Sequence, residues 1–413
     1  MGILYTILIH LYTLVIYLVS PFHFKASLWR KGRKNIFSVI NNEICENDKL
    51  LWFHCASLGE FEQGRPVIEK IKKEYPNYKI VLTFFSPSGF EVRKNYQGAD
   101  HVFYLPADTP GNAKKFIEIL NPEKAFFIKY EFWYNYLKRL NNRQVPVYIV
   151  SAIFRENQLF FKKFGKWYRK FLYYINHFFV QDEKSESLLR NIGIKNVTIS
   201  GDTRFDRVHV ISKQAKELPL VNEFKNDNLV LIAGSSWAPD EEVLLSYLNK
   251  YKPPVKIIIA PHEIHNANIT RVERLFSNYN CTRYSKLGNS PAQYDVLIID
   301  NIGMLSSLYK YGDIAMIGGG FGKGIHNILE AATFYLPVLF GPNYTKFREA
   351  VDMVRLGGAD CYKDVNSLAA HLEAMINKES LRKEKGEICG NYVTRNIGAT
   401  DIIMQHTFHH TAN

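Results

Sequence analysis

Short apolar runs recur along the chain from residue 36 onward, and amphipathic stretches separate them. Apolar and polar residues hardly alternate within these runs, which is typical of parallel strands buried on both faces. Segments 60–75 and 183–192 show helical spacing. The pattern therefore predicts an α/β fold with a doubly wound parallel sheet. Its first series of predicted strands comprises 51–56, 79–85, 101–105, 125–128, 145–150, 178–181 and 197–200.

The strand pattern then restarts after a polar stretch at 208–228, which we interpret as an interdomain linker. A chain of 413 residues exceeds what one core usually serves. We predict two Rossmann-like domains, 36–207 and 229–400, facing a cleft, with ligands beyond the carboxyl ends of the strands. The second series of predicted strands comprises 229–233, 256–260, 296–299, 314–317 and 338–340.

The N-terminal segment 1–22 contains no Asp, Glu, Lys or Arg. About 20 such residues can span a bilayer. Basic residues follow between Lys25 and Lys34, which favours a cytoplasmic location for the rest of the chain. We predict either a spanning anchor or an interfacial helix dipped into one leaflet. A buried N-terminal helix is the remaining alternative.

The net charge indicates an anionic partner, and the cysteines exclude some classes of protein. Lys and Arg number 52 against 40 Asp and Glu, a net charge of +12 that suits an anionic lipid surface, a phosphorylated substrate or nucleic acid. Aromatic residues do not interleave with basic patches, so we expect no nucleic-acid partner. The five cysteines form no CxxC pair, which argues against a zinc ribbon or a disulfide framework and favours a reducing compartment.

A run of glycines, Gly318–Gly320, follows a predicted strand and precedes a predicted helix that opens near His326. Glycine permits close backbone approach, and a helix start offers unpaired N–H groups to an anion. With His326, Asn327 and Glu330 on the first turn, the segment suits a nucleotide, with phosphate on the N–H groups and ribose hydroxyls on the carboxylate. The alternative is a plain βα turn with a capping Asn and a dipole-matched Glu.

Charged residues also follow several strands of the first series. Glu60 is a candidate general base for an attacking hydroxyl, or it only complements the dipole of its helix. Glu131 follows the fourth strand, where it is a second candidate acid or only a partner of a nearby lysine. Arg155 and Arg204 are candidates for gripping a carboxylate or phosphate, with Asp202 behind Arg204.

In the second series, Ser235 and Ser236 follow a strand at a place that commonly meets phosphate or sugar oxygens. Pro261 and His262 follow the next strand, and His262 is a candidate nucleotide contact. The sequence there reads HExH, and its two His are one residue too close for the HExxH zinc signature, so we expect no metal.

Together these motifs resemble the bacterial 3-deoxy-D-manno-octulosonic acid (Kdo) transferases of lipopolysaccharide synthesis. The resemblance extends over nearly the whole chain and rests on ASLGE, YEFWYN, SAIFR, GDTRFD, GSSW, APHE and GGGFGKGIHNILE. It implies a GT-B glycosyltransferase fold at the cytoplasmic face of the inner membrane. It also implies CMP-Kdo as the donor, a lipid A precursor (lipid IVA) as the acceptor, and inverting transfer.

The same resemblance assigns roles to single residues. Glu60 corresponds to the general base of an SxGE motif, whose Ser57 and Gly59 we place on the acceptor side. Glu131 corresponds to the acid of an ExW motif. His326, Asn327 and Glu330 correspond to the nucleotide contacts of an HNxLE motif. Because this donor carries one phosphate, we expect neither a metal nor another cofactor.

The chain departs from the family pattern after Pro261, where an arginine that would meet the CMP phosphate is absent. His265 and Lys323 are the candidate replacements. Two other functions remain open: a GT-B enzyme that uses a nucleotide-diphosphate sugar on a lipid acceptor, and a non-catalytic membrane-surface binding protein of the same fold.

Overall fold

A computed structural model describes residues 2–288 and 290–409. The chain forms two compact units. Unit 1 comprises residues 1–207 and 397–413, and unit 2 comprises residues 208–396. Met1 of the predicted anchor and Asn289 of the predicted second domain lie outside the described residues.

Unit 1 contains a seven-stranded parallel sheet. Its strands are β1 (Leu50–Cys55), β2 (Lys79–Phe84), β3 (His101–Tyr104), β4 (Lys124–Ile128), β5 (Val147–Ala152), β6 (His177–Val180) and β7 (Val197–Ile199). They lie in the order β3-β2-β1-β4-β5-β6-β7, so the direction of winding reverses between β1 and β4. All seven predicted strands are present, and the fold class is confirmed for this unit.

Helices cover both faces of this sheet. Neighbouring residues of β1 show why its sequence does not alternate: the Trp52 ring packs 5.0 Å from that of Phe116, while Phe53 stacks 4.5 Å from Phe126 in a separate cluster that includes Phe61. The helices of unit 1 are α1 (Gly2–Val19), α2 (Phe24–Gly32), α3 (Ile36–Glu43), α4 (Leu58–Glu74), α5 (Pro87–Arg93), α6 (Pro110–Leu120), α7 (Tyr134–Asn142), α8 (Arg169–Leu172) and α9 (Glu183–Asn191). Helix α10 (Arg204–Lys213) begins in unit 1 and continues into unit 2.

Helix α1 lies against unit 1 with one face and exposes the other. The Tyr5 hydroxyl donates to Asp108 Oδ2 at 2.7 Å, and the Tyr12 ring stacks on that of Phe85 at 6.2 Å. No residue of α1 is buried, which rules out the buried-helix alternative. By its 18 residues and mean hydropathy of 2.0, α1 is long and apolar enough to cross a membrane.

Unit 2 contains a second seven-stranded parallel sheet. Its strands are β8 (Leu229–Ser236), β9 (Val255–Pro261), β10 (Cys281–Arg283), β11 (Val296–Ile298), β12 (Ile314–Ile317), β13 (Val338–Phe340) and β14 (Ala359–Cys361). They lie in the order β10-β11-β9-β8-β12-β13-β14, and the winding reverses between β8 and β12. The sequence did not predict β10 and β14, because both are three-residue edge strands that lack an apolar run.

The predicted linker at 208–228 is wrong as a description of this stretch. It is largely helical, since α10 runs to Lys213 and α11 follows. Val221 and Phe224 are fully buried, and Lys225 Nζ lies 2.8 Å from Asp313 Oδ2 within unit 2. The remaining helices of unit 2 are α11 (Pro219–Lys225), α12 (Ala238–Tyr251), α13 (Asn266–Leu275), α14 (Leu305–Leu308), α15 (Leu329–Ala332), α16 (Arg348–Leu356), α17 (Val365–Asn377) and α18 (Glu379–Arg395).

After α18 the chain returns to unit 1. Helix α19 (Ala399–Met404) and a π-helical turn (Gln405–His409) follow. The Asp206 carboxylate accepts hydrogen bonds from the backbone N–H groups of Gly398 and Thr400 and from the Thr400 hydroxyl. The last four residues of the predicted domain 229–400 therefore belong to a segment that packs with unit 1.

Candidate active site

Glu60 lies in the first turn of α4, which begins directly after β1, one of the two strands that border the reversal of the sheet. Its side chain is almost fully buried, with 9% exposure. Its carboxylate accepts a hydrogen bond from the Ala56 N–H. Burial and then the negative charge of Glu131 raise the pKa of Glu60 to about 8, against the opposing effects of the Ala56 and Ser57 N–H groups and Lys129.

Glu131 follows β4, the strand that pairs with β1, so the two acids come from either side of the reversal. Its Oε2 accepts a hydrogen bond from Trp133 Nε1 at 2.6 Å and lies 3.3 Å from His54 Nε2. The other ring nitrogen of His54 shares a 2.9 Å hydrogen bond with Thr83 Oγ1. A chain of buried polar groups thus fixes Glu131 close enough to Glu60 to shift its pKa.

Cationic residues gather around the Tyr130 hydroxyl at the same edge of the sheet. Burial raises the pKa of Tyr130, and the charges of Arg155, Glu60, Asp202 and Arg204 act on it further. Arg155 is exposed and forms no ion pair with any residue in the described ranges. It is therefore available to an acidic ligand.

Arg204 is held in place from behind, as the sequence analysis expected. Its Nε and Nη2 donate to Asp202 Oδ2 at 2.9 and 2.8 Å. Asp202 is buried, and Gln63 Nε2 donates to the same oxygen at 3.0 Å. The guanidinium is a fixed cation with 24% of its side chain exposed.

Ser57 and Gly59 occupy the turn between β1 and α4. Ser57 is the residue before the helix, and its side chain makes no capping hydrogen bond. Gly59 is exposed, and a Cβ atom at this position would meet nothing within 4 Å. The space above Gly59 is therefore open beside the buried Glu60.

In unit 2 the glycine run serves backbone packing. A Cβ at Gly318 would lie 2.3 Å from the Ser235 carbonyl oxygen, and one at Gly320 would lie 2.5 Å from Gly341 Cα. The Gly318 N–H donates to the Gly234 carbonyl at 3.0 Å, and the Gly319 N–H donates to Asp240 Oδ2 at 2.9 Å. The N–H groups of Gly318 and Gly319 are therefore already bonded within the protein, and a role of Gly318–Gly320 in donor binding stays a prediction.

The predicted helix start near His326 is also wrong. Helix α15 begins at Leu329 and has four residues, so only Glu330 lies in its first turn, and His326 and Asn327 precede it. Asn327 Oδ1 accepts from the Leu329 N–H at 3.2 Å, and Asn327 Nδ2 donates to Glu330 Oε1 at 3.1 Å. Asn327 and Glu330 are therefore paired, as predicted. The predicted contribution of a helix dipole to anion binding at His326 is not supported.

Three rings stack where β8, β9 and β12 end. The His262 ring lies 4.8 Å from that of Trp237 and 4.2 Å from that of His326, with interplanar angles of 26° and 22°. Burial and then the charge of His262 lower the pKa of His326 to about 4, so this imidazole is neutral at pH 7. Because the indole N–H of Trp237 donates to His326 Nε2 at 2.9 Å, the His326 proton resides on Nδ1.

The two serines after β8 differ in what they offer a ligand. Ser235 is half-buried and has a left-handed backbone, with φ of 51°. Ser236 is buried, and its hydroxyl donates to Glu241 Oε1 at 2.8 Å. We therefore leave the Ser236 hydroxyl out of the proposed donor site. We also leave out Pro261, which is buried as the last residue of β9 and directly precedes His262.

The two candidates for the missing arginine also differ. His265 caps helix α13, since its Nδ1 accepts from the Asn268 N–H at 3.2 Å, and its other nitrogen faces Glu263. Lys323 is exposed on the loop after Gly320 and forms no ion pair with any residue that the structure describes. Lys323 is the better candidate for a phosphate.

Sequence reasoning missed the importance of His54, Trp133 and Trp237. Trp133 and Trp237 stand inside the quoted motifs YEFWYN and GSSW, but the sequence analysis assigns no role to either. His54 lies within β1 and is fully buried. For the two tryptophans the available signal was an indole N–H one or two residues from a functional side chain, since such a group needs a hydrogen-bond partner when buried.

The chain is similar to known proteins over most of its length. Residues 31–207 match the family described as 3-deoxy-D-manno-octulosonic-acid transferase (kdotransferase). The chain is 28% identical over 354 residues to the 3-deoxy-D-manno-octulosonic acid transferase of Aquifex aeolicus, covering 84% of this chain and 92% of the relative. It is 25% identical over 411 residues to the enzyme of the same name from Haemophilus influenzae, covering 95% and 94%.

A solved structure supports the architecture. A glycosyltransferase from Rickettsia africae superimposes with a TM-score of 0.56 at 11% identity, covering 87% of this chain and 98% of that chain. At this identity the likeness concerns the fold alone, which is GT-B. The family match lies within unit 1, and the relatives extend over both units. The chain is therefore similar over most of its length to the 3-deoxy-D-manno-octulosonic acid transferases, and its fold is GT-B.

Proposed function

We propose that this protein transfers Kdo from CMP-Kdo to a lipid A precursor, lipid IVA, with inversion at the anomeric carbon. The observation that carries the proposal is the Glu60 carboxylate, buried beside Glu131 at the reversal of the unit 1 sheet with a pKa of about 8. A base of this strength is suited to accept a proton from a hydroxyl near neutral pH.

The proposed reaction has one chemical step. The acceptor oxygen attacks the anomeric carbon of Kdo while its proton passes to Glu60. The bond between that carbon and the phosphate oxygen breaks, and its electron pair leaves on CMP. Glu131 acts by keeping the pKa of Glu60 high, and Arg155 and Arg204 hold acidic groups of the acceptor or donor.

Unit 2 is the proposed donor site. The face of the ring stack at Trp237 is 38% exposed and suits a nucleobase, and Glu330 suits the ribose hydroxyls. The Nδ1–H of His326 and the free cation of Lys323 are the proposed partners of the single phosphate. A monophosphate leaves no diphosphate for a metal to bridge, so we propose that transfer needs no metal.

The proposed location is the cytoplasmic face of the inner membrane, with α1 lying on the bilayer surface. The packed face of α1 fixes it along unit 1, while its other side exposes apolar residues such as Ile3 (80%) and Leu18 (66%). A helix bound along its length to a folded unit fits an interfacial position better than a spanning one.

Mass spectrometry of the products tests the function. Purified protein is mixed with tetra-acylated lipid A precursor and freshly generated CMP-Kdo, and with UDP-sugars in parallel. We expect a lipid product heavier by whole Kdo residues from CMP-Kdo alone. A sugar from a UDP donor on the lipid would favour the nucleotide-diphosphate alternative, and no transfer from any donor would favour the non-catalytic one.

A further inference from the structure

An open cavity of about 380 Å³ lies beneath α1 in unit 1, apart from the Glu60 site. Thr13 and Tyr17 of α1 form one wall, and Trp29, Arg33 and Lys115 line the rest. This volume falls in the range of small-molecule pockets. The cavity therefore joins an exposed apolar helix to two cationic side chains.

Among the residues that the structure describes, Arg33 has no carboxylate partner. Its guanidinium donates to the carbonyl oxygens of Leu105 and Phe85 at 2.8 Å and of Trp29 at 3.2 Å. It also lies 3.9 Å above the centre of the Trp29 ring. No Asp or Glu in the described part of the chain is within ion-pair distance of it. Three of its five N–H donors are used, so two remain for a ligand.

The surroundings of Arg33 favour the binding of an anion, because they hold no counter-ion for its buried charge. Burial lowers the pKa of Arg33 to about 9, which shows that its charge lacks compensation. Asp108, beside the cavity in sequence, is only 1% exposed and already accepts from Tyr5, Asn135 and Tyr136. Asp108 therefore does not serve as the counter-ion of Arg33.

Trp29 provides a second polar group without a partner. Its side chain is 4% exposed, and its indole N–H has no hydrogen-bond partner in the part of the chain that the structure describes. A buried indole N–H normally has one. An acceptor oxygen in the cavity would satisfy it.

We propose that this cavity binds the phosphate of an anionic glycerophospholipid headgroup, with Arg33, Lys115 and the Trp29 indole as its ligands. The acyl chains would then lie along the exposed apolar side of α1. Basic pockets beside membrane helices commonly take such headgroups. The inference rests on the proposed surface position of α1, but it concerns a site separate from the transfer chemistry.

The test uses the full-length protein labelled with ¹⁵N at its tryptophan indoles, in nonionic detergent. The Trp29 signal is assigned with Trp29→Phe, and short-chain phosphatidylglycerol, short-chain phosphatidylcholine and inorganic phosphate are titrated separately. We expect the Trp29 signal to shift with phosphatidylglycerol and to respond at least about tenfold more weakly to the other two ligands. The choline cation of phosphatidylcholine opposes Arg33 and Lys115, and inorganic phosphate has no acyl chains to lie along α1.

Matched variants locate the site. Lys114 and Lys115 are adjacent and exposed, but only Lys115 lines the cavity. Lys115→Gln should weaken phosphatidylglycerol binding several-fold, while Lys114→Gln should not. Arg33→Gln should weaken it at least about tenfold, compared with Lys34→Gln. If Arg33→Gln does not fold by circular dichroism, the lysine pair carries the test.

Several results would overturn the inference: an unmoved Trp29 signal, equal responses to phosphatidylglycerol and inorganic phosphate, or equal effects of the two lysine variants. Displacement of phosphatidylglycerol by lipid A precursor would assign the cavity to the acceptor instead, and would also overturn it. None of these measurements depends on Kdo transfer, so failure here is distinguishable from failure of the proposed function.

Discussion

The two sheets of this protein share an architecture but carry different chemistry where their winding reverses. In unit 1 the reversal brings together two acids, and the pKa of Glu60 rises to about 8. In unit 2 it brings together three aromatic rings, and the pKa of His326 falls to about 4. Burial is the largest cause in both cases, and it disfavours the charged form of each group.

The difference suits the two edges to different parts of the proposed transfer reaction. A carboxylate that is hard to ionise is a base able to hold a proton near neutral pH. An imidazole that is hard to protonate remains a neutral hydrogen-bond donor and a stacking surface. The unit 1 edge is therefore suited to proton transfer and the unit 2 edge to recognition of a neutral ring and a phosphate.

The largest expected effect comes from removing the base. Glu60→Gln keeps the size of the side chain but cannot accept the proton, so kcat should fall about 10²–10⁴-fold. Donor binding, measured by calorimetry with CMP, should stay within about twofold. Glu62→Gln is the matched control on the same helix, because Glu62 pairs with Arg65 and Arg93 on the surface. Wild-type turnover in Glu60→Gln would remove this residue from the mechanism.

Removing the exposed Trp237 ring should weaken the binding of CMP to unit 2. Trp237→Ala should weaken CMP binding about tenfold, because base–aromatic stacking is worth about 1–3 kcal/mol. The loss should be in KM for the donor, with kcat nearly unchanged. Trp237→Phe should recover most of the affinity, since it keeps a ring but loses the hydrogen bond to His326. Equal affinity in all three proteins would show that the stack does not bind the base.

The coupling between the two acids should appear in the pH profile. Because the charge of Glu131 raises the pKa of Glu60, Glu131→Gln should lower it, and the rising limb of kcat should move to lower pH by about one unit or less. Glu62→Gln removes a carboxylate of α4 without this effect. An unmoved limb in Glu131→Gln would mean that the two acids do not interact in the working enzyme.

A smaller effect is expected on stability. The folded-state pKa of Glu60 is above its usual value of 4.5. The contribution of Glu60 to the free energy of unfolding is therefore fully present below pH 4.5 and is lost as the pH rises through about 8. Glu60→Gln should remove this loss, so that the Tm of the variant depends less on pH than the Tm of the wild type. Each kcal/mol of stability corresponds to about 2–4 °C in Tm. A Tm difference between wild type and variant that is the same at pH 6 and pH 9 would contradict this sign.

Chelation should have the smallest effect. If the phosphate of the donor is held by side chains alone, dialysis against EDTA should leave kcat within about twofold. Added Mg²⁺ should not raise it. A large loss that Mg²⁺ restores would mean that the proposed donor contacts are incomplete.

Much of the fold could be predicted from the sequence, because buried parallel strands leave unbroken apolar runs such as β1 and β9. The edge strands β10 and β14 leave no such run. The return of residues 397–409 to unit 1 depends on contacts of Asp206 far away in the sequence, which no local pattern reveals.

The site was predicted less evenly. Glu60 and Glu131 stand at strand ends and could be found from the sequence. The contact between His54 on β1 and Glu131 joins residues far apart in the chain, which no local pattern reveals. For the glycine run, the sequence shows only that the backbone comes close to a neighbour and does not identify that neighbour. In the structure that neighbour is the backbone of Ser235 and Gly341.

The most direct test of the account is the single-turnover rate of Kdo transfer from pH 5.5 to 9.5, with donor and acceptor saturating. The account predicts a rate that rises about tenfold per pH unit and levels off near pH 8, where Glu60 becomes ionised. The residual rate of Glu60→Gln should lack this limb. A flat wild-type profile over this range, or the same limb in the variant, would contradict the assignment of Glu60 as the base.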